Sequence, residues 1–133
     1  MHLTLGYVAA MAAFFALDVL WLGVVAKAFY ANALGAWLRP APHLAAAAAF
    51  YLLYVGGIVY FAVAPALRGG GWSTALLSGA LLGLLAYGTY DMTNLATLKN
   101  WPLRVSVVDM AWGTALTALA ALAGYGAARA FAP

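Results

Sequence analysis

Four long apolar runs, separated by short polar breaks, dominate the pattern of this sequence. The runs cover about residues 3–26, 44–67, 72–98 and 105–131. Each is long enough for a helix that crosses a bilayer core, which takes about 20 apolar residues. We therefore predict an all-α integral membrane protein, a four-helix transmembrane bundle with short loops, in which residues 1–133 form a single transmembrane domain.

The breaks carry residues that interrupt helices. Residues 32–43 include a glycine and two prolines, which indicates a loop or a short interfacial turn. The second break holds Gly69–Gly71, a glycine run that predicts a flexible turn. It lacks the Lys and hydroxyl residue of a phosphate-binding loop, so no nucleotide site is predicted. Inside the third run, Gly79 and Gly83 have the GxxxG spacing that lets two membrane helices approach closely.

Basic residues are few, and their distribution favours one orientation. The side richer in Lys and Arg faces the cytoplasm in most membrane proteins, so both termini are predicted to face away from it. The first run is interpreted as a span and not as a cleaved signal peptide, because Asp18 and Trp21 lie inside it and no basic residue precedes it. The richer side holds Lys27, Arg39, Lys99 and Arg104, and the other side holds Arg68 and Arg129.

Composition strengthens the membrane interpretation and narrows the chemistry. Hydrophobic residues make up 68% of the chain and charged residues 7%, against about 45–50% and about 25% in soluble domains. The formal net charge is +3, but the six Lys and Arg form no patch, so the predicted partner is the lipid bilayer and no nucleic acid. The chain has no cysteine, which excludes disulfides and cysteine metal sites.

All three acidic residues lie inside the apolar runs. A carboxylate at the centre of a membrane helix costs about 2.5–3.5 kcal/mol on insertion scales, so its presence needs a specific reason. At about 1.5 Å per residue from the nearest basic residue, Asp18, Asp91 and Asp109 lie roughly 13, 12 and 8 Å from the same membrane boundary. The sequence therefore predicts one acidic layer contributed by three helices.

Helical spacing surrounds these acids with aromatic and amide side chains. On the third run, Tyr87 and Asn94 share a face with Asp91, because residues three and four positions apart are neighbours. Aromatic walls around carboxylates suit a small cationic or amphiphilic ligand. The predicted ligand-binding or proton-exchanging residues are Asp18, Trp21, Tyr54, Tyr87, Asp91, Asn94, Asp109 and Trp112.

Structural interpretations of the same acids stay open. Asp109 follows Ser106 by three residues, as in a capping box at the start of a helix, and Asp91 could join neighbouring helices by hydrogen bonds. The motif Asp-x-x-Trp occurs at Asp18 and again at Asp109, but the two copies do not fit an inverted repeat about the membrane midplane. No metal site and no cofactor are predicted, since both histidines lie at the edges of the runs.

Four segments together resemble one family of membrane proteins. The most specific is Tyr87–Thr97, with its Tyr-Asp-x-Thr-Asn motif, and the others are Leu17–Gly23, Phe50–Ile58 and Val108–Gly113. They resemble the predicted bacterial membrane proteins grouped as domain of unknown function 2177, over nearly the whole chain. The resemblance implies a four-helix membrane architecture and the bacterial inner (cytoplasmic) membrane, crossed several times, and it implies no particular chemistry.

Three functions remain as hypotheses. The first is binding or transport of a small cationic or amphiphilic ligand coupled to proton exchange, in which Asp18→Asn is expected to abolish binding. In size and helix count alone the chain resembles the small multidrug resistance transporters, which dimerise, so a homo-oligomer is considered. The second is a membrane-embedded enzyme acting on a lipid, which is less favoured because no nucleophile with its base is evident. The third is a structural subunit whose acids specify helix pairing.

Overall fold

The computed structural model describes residues 2–131, which are largely helical. Met1, Ala132 and Pro133, at the ends of the predicted domain 1–133, lie outside the described residues. The first helix runs into a π-helical turn, Trp21–Val25, and the third runs through two more, Val59–Val63 and Ala66–Gly70. The five α-helices are α1 (His2–Leu20), α2 (Lys27–Leu34), α3 (Leu44–Ile58), α4 (Gly71–Thr97) and α5 (Leu103–Ala130).

Three helical stretches are long and apolar enough to cross a membrane, His2–Val25, Leu44–Thr97 and Leu103–Ala130. The middle one has 54 residues. As a straight helix it would be about 80 Å long at 1.5 Å per residue, far more than a hydrocarbon core of about 30 Å. It must therefore bend to remain within one bilayer.

The bend lies at the glycine run that the sequence predicts as a turn. Gly69 and Gly71 have φ angles of 118° and 73°, a region that glycine adopts without steric cost. Tyr54 and Tyr87, almost equally far from this turn along the chain, pack with ring centroids 6.4 Å apart. The stretch thus runs back along itself. The all-α prediction is confirmed for the described residues, and the four-helix arrangement fits approximately.

The break after the first run contains a helix that the sequence analysis did not predict. The Ala26 N–H donates to the Trp21 carbonyl at 2.7 Å, five residues back, which forms the wide π-helical turn. The Tyr30 N–H then donates to the Ala26 carbonyl at 3.1 Å as helical spacing resumes in α2. This extra residue in the turn changes the direction in which the α2 side chains project.

Small residues set the distances between the long helices. A Cβ atom added at Gly79 of α4 would lie 2.9 Å from the Ala121 Cβ of α5, and one at Gly83 would meet the α5 backbone. The close approach predicted from the GxxxG spacing is confirmed. Further along α5, Gly6 of α1 lies against Gly124, where an added Cβ would be 3.2 Å from the Gly124 carbonyl oxygen.

Large apolar side chains cover much of the outer surface. Leu53 is 75% exposed, Tyr60 71% and Leu77 67%, whereas Phe14 and Leu116 are fully buried between the helices. Such a surface would be unstable in water but is favourable against lipid chains. The protein is therefore built with an apolar exterior and a tightly packed interior of mixed polarity.

Candidate functional site

Asp18 is almost fully buried near the end of α1, at 5% exposure. The indole N–H of Trp112 on α5 donates to its Oδ1 at 3.1 Å. The hydroxyl of Tyr51 on α3 donates to its Oδ2. Both carboxylate oxygens thus have donors, and the side chain joins three helices.

Asp109 of α5 is half-buried and bound by a residue from the unpredicted helix α2. The Tyr30 hydroxyl donates to Asp109 Oδ1 at 2.7 Å and accepts from the Trp21 indole N–H at 3.1 Å. Burial, together with the nearby Asp109 carboxylate, raises the pKa of the Tyr30 hydroxyl above its usual range. Tyr30 therefore stays neutral near physiological pH and remains a donor to Asp109.

The two Asp-x-x-Trp motifs meet across α1 and α5. The rings of Trp21 and Trp112 are stacked, with centroids 4.5 Å apart and planes 7° from parallel. Since α1 and α5 run antiparallel, the Asp of one motif lies opposite the Trp of the other. Trp112 donates directly to Asp18, and Trp21 reaches Asp109 through a tyrosine. The repeated motif thus produces a reciprocal local contact.

Asp91 of α4 differs from the other two acids. It is 0% exposed, and neither of its carboxyl oxygens has a hydrogen-bond partner within the described part of the chain. The Asp109 carboxyl group is a neighbour of Asp91, and a hydrogen bond between the two groups would require one of them to carry a proton. A buried polar group without a partner is costly, so the Asp91–Asp109 pair stands out in this interior.

Ser106 connects α4 and α5 and does not cap a helix. Its hydroxyl donates to the Asp91 backbone carbonyl at 2.8 Å and accepts from the Trp101 indole N–H at 3.0 Å. The N-cap of α5 is Pro102, several residues before Asp109. The capping-box interpretation of Ser106 and Asp109 is therefore wrong, because the helix begins earlier than the predicted boundary.

The remaining predicted site residues lie around this layer. The Tyr54 hydroxyl and Thr117 Oγ1 are 2.8 Å apart in a buried hydrogen bond between α3 and α5. The Tyr87 ring rests on Gly113, where a side chain would collide with it. Asn94 is half-buried about one turn after Asp91, on the same face of α4.

Two cavities border the acidic layer. The smaller, of about 470 Å³, is mainly apolar, and the larger is about 750 Å³. Asp109 and Tyr90 line both cavities, whereas Asp18 and Asp91 line neither. The larger cavity also contains Lys27, Arg39 and His43 among its lining residues. The smaller cavity is lined by Phe50, Ala86, Tyr87, Thr89, Tyr90 and Asp109.

Sequence reasoning did not identify Tyr30 and Tyr51 as partners of the acids. The contact of Tyr30 with Asp109 joins positions 79 residues apart, which leaves no local signal. Tyr51 shares the depth of Asp18, but depth alone does not reveal which rotation of α3 points its hydroxyl inward. Within residues 2–131, no group of three or more His, Asp or Glu side chains is placed to hold a metal ion.

Comparison with known proteins gives one match. Residues 3–126 match the family described as "Predicted membrane protein (DUF2177)", and this segment contains all three acids and the residues that line both cavities. No curated protein and no solved structure matches the chain.

Proposed function

The chain belongs to the DUF2177 family of predicted membrane proteins. We propose that it binds or transports a small cationic or amphiphilic ligand across the bacterial inner membrane, in exchange for a proton. The observation that carries the proposal is the buried Asp91 carboxyl, which has no hydrogen-bond donor among the described residues and has Asp109 as its neighbour. Asp109 in turn lines a cavity.

A shared proton would explain how two carboxyl groups coexist here. Two adjacent carboxylates at low dielectric repel each other strongly, so the pair is stable when it carries one proton and one negative charge. The protonated group then donates to the other, which gives Asp91 its missing partner. A cation that enters the cavity can replace this proton, and one proton leaves for each positive charge that binds.

The smaller cavity has suitable walls for such a cation. The rings of Phe50, Tyr87 and Tyr90 surround a space that Asp109 borders on one side. Aromatic faces attract cations, and the attraction grows when water is excluded. The volume of about 470 Å³ lies within the range of about 300–1,000 Å³ that is usual for small-molecule sites.

Asp18 is given a positioning role in this proposal. Its two oxygens are already occupied by Tyr51 and Trp112, whereas the oxygens of Asp91 have no donor among the described residues. A ligand would have to break both hydrogen bonds to reach it. We therefore assign exchange to the Asp91–Asp109 pair and assign Asp18 to holding α1, α3 and α5 in register.

The test is titration of the detergent-solubilised protein with tetraphenylphosphonium, a lipophilic cation, while proton release is followed with a pH-sensitive dye. The wild type should release about one proton per bound cation. Asp91→Asn and Asp109→Asn should abolish release and weaken binding about tenfold or more, which corresponds to ~1.4 kcal/mol. Asp18→Asn is the matched control, because it also removes one buried carboxyl group but leaves the pair intact.

Two outcomes would contradict the proposal. Binding without proton release by the wild type would remove the exchange mechanism. Loss of release only in Asp18→Asn would transfer the site to that residue, which the sequence analysis favoured.

A structural subunit is the second candidate, and the saturated hydrogen bonds of Asp18 favour it. In that case all three Asp→Asn variants would lower thermal stability, and none would change cation binding. Native mass spectrometry of the extracted protein would add its subunit number and any retained small molecule, and so test the considered homo-oligomer.

A further inference from the structure

The larger cavity brings charges of both signs to one space. Lys27 of α2, Arg39 of the following break and Asp109 of α5 all line it. Its lining also includes Pro42 and His43, from the segment that the sequence places at the membrane boundary. Such a site is complementary to a group that is itself both anionic and cationic.

The two cavities adjoin at the same two residues. Tyr90 and Asp109 belong to the lining of each, and the smaller cavity continues from them toward Phe50, which is 51% exposed on the lipid-facing side of α3. A molecule seated in both would have its polar end near Lys27 and Arg39. Its apolar end would lie among aromatic rings that face the bilayer.

Trp37, Tyr90 and Trp101 line the larger cavity together with Asp109. The rings of Trp37 and Trp101 stack with centroids 6.2 Å apart, and Tyr90 packs edge-on against Trp101 at 5.8 Å. Indole and phenol rings are favoured at the level of lipid headgroups, where one side is apolar and the other is hydrated. These rings place the larger cavity at headgroup depth.

From this arrangement we infer that the ligand is a zwitterionic membrane lipid with a phosphate and an ammonium group in its head. The phosphate lies at Lys27 and Arg39, the ammonium lies at Asp109, and an acyl chain enters the smaller cavity. A lipid with only a phosphate would leave Asp109 facing a like charge. A simple cation at Asp109 would leave Lys27 and Arg39 without an anionic partner, so a zwitterion satisfies both sets of charges.

This inference rests on the proposed function, since the ammonium is the positive charge that exchanges for the proton at Asp109. It adds the class of the ligand and a second contact region. Lys27 and Arg39 form that region, and both are exposed, so replacing them should not disturb folding.

The experiment is native mass spectrometry of the full chain in detergent, titrated with phosphatidylethanolamine or phosphatidylglycerol of identical acyl chains. The wild type should bind phosphatidylethanolamine at least about tenfold more tightly than phosphatidylglycerol. Lys27→Gln and Arg39→Gln should weaken the binding of both lipids, and Asp109→Asn should remove the preference between them. Arg104→Gln is the matched control, because Arg104 is an exposed basic residue that lines neither cavity.

Three results would overturn the inference. Equal binding of the two lipids by the wild type would remove the ammonium contact. If Arg104→Gln weakens lipid binding as much as Arg39→Gln does, the basic residues act only through general surface charge. Equally tight binding of free phosphoethanolamine would show that no acyl chain is bound.

Proton release by the wild type with tetraphenylphosphonium is measured on the same preparation. If release occurs while the lipids bind equally, only the lipid inference fails and the proposed exchange stands. If release is also absent, both fail.

Discussion

At the scale of single residues, the stacked indoles of Trp21 and Trp112 connect the two acid sites. Each ring packs on the other, and each N–H points to a different acceptor, Asp18 or the Tyr30 hydroxyl. An indole donor without an acceptor would be costly at this depth. The pair therefore links stacking and hydrogen bonding in one contact between α1 and α5.

Removing one of these donors should have a measurable cost. Trp112→Phe keeps an aromatic ring but removes the donor to Asp18. We expect it to lower the free energy of unfolding by about 0.6 kcal/mol, and by no more than ~2 kcal/mol, which is the range for hydrogen bonds between membrane helices. Unfolding in mixed detergent micelles measures this. Trp72→Phe is the control, because Trp72 is 63% exposed, and an equal loss in both would disprove the role of the N–H.

The raised pKa of Tyr30 gives a prediction about alkaline pH. An unfolded tyrosine loses its proton near pH 10, whereas burial beside Asp109 keeps the folded Tyr30 protonated. The folded state is then favoured by this group below about pH 10 and loses that advantage as the pH rises further. Stability measured between pH 8 and pH 11 should fall more steeply for the wild type than for Tyr30→Phe. Parallel curves would contradict the assignment.

At the scale of helices, glycine positions decide how closely α4 and α5 approach. Gly83 lies against the Gly113 backbone and Thr117 Oγ1, and the Tyr87 ring covers Gly113 from α4. These contacts fix the rotation of α4, and that rotation points Asp91 toward Asp109. The packing of small residues is therefore a condition for the acid pair as well as for stability.

We expect Gly83→Ala to separate α4 from α5 and to lower the free energy of unfolding by about 1–3 kcal/mol, as overpacking does. The matched control is Gly126→Ala, because a Cβ at Gly126 meets nothing within 4 Å and alanine favours a helix. Its stability should be unchanged or higher. The two variants are compared by unfolding in detergent, and similar values would contradict the close approach.

At the scale of the whole molecule, stability and the proposed exchange oppose each other. An apolar exterior and a small-residue core favour the folded protein, whereas the unpartnered Asp91 at the centre does not. Proteins often keep such groups at functional sites at the expense of stability. Replacement of Asp91 and of Asp18 by Asn is therefore expected to change thermal stability in opposite directions.

Asp91→Asn should raise thermal stability, by about 1 kcal/mol, because an amide can donate to Asp109 without needing a proton. Asp18→Asn should lower it, because the amide replaces one of the two acceptor oxygens by an NH2 group, which cannot accept the hydrogen bond of Tyr51 or Trp112. Melting of the two purified variants beside the wild type measures the difference. A lower melting temperature for Asp91→Asn would show that its carboxyl is a stabilising group.

The sequence by itself determined the all-α membrane architecture, the reversal at Gly69–Gly71 and the close approach at Gly79 and Gly83. These features follow from local hydropathy and from residues with special steric properties, which act over one run or one turn. Sequence also placed the three acids within the apolar runs.

Only the tertiary structure decided which acid is satisfied and which is not. Tyr30 reaches Asp109 because a π-helical turn redirects α2, and Asp91 lacks a donor because of the rotation of α4 against α5. Hydrogen bonds between helices depend on their rotation and relative height. Those are set by packing contacts between residues far apart in the chain, which no local pattern encodes.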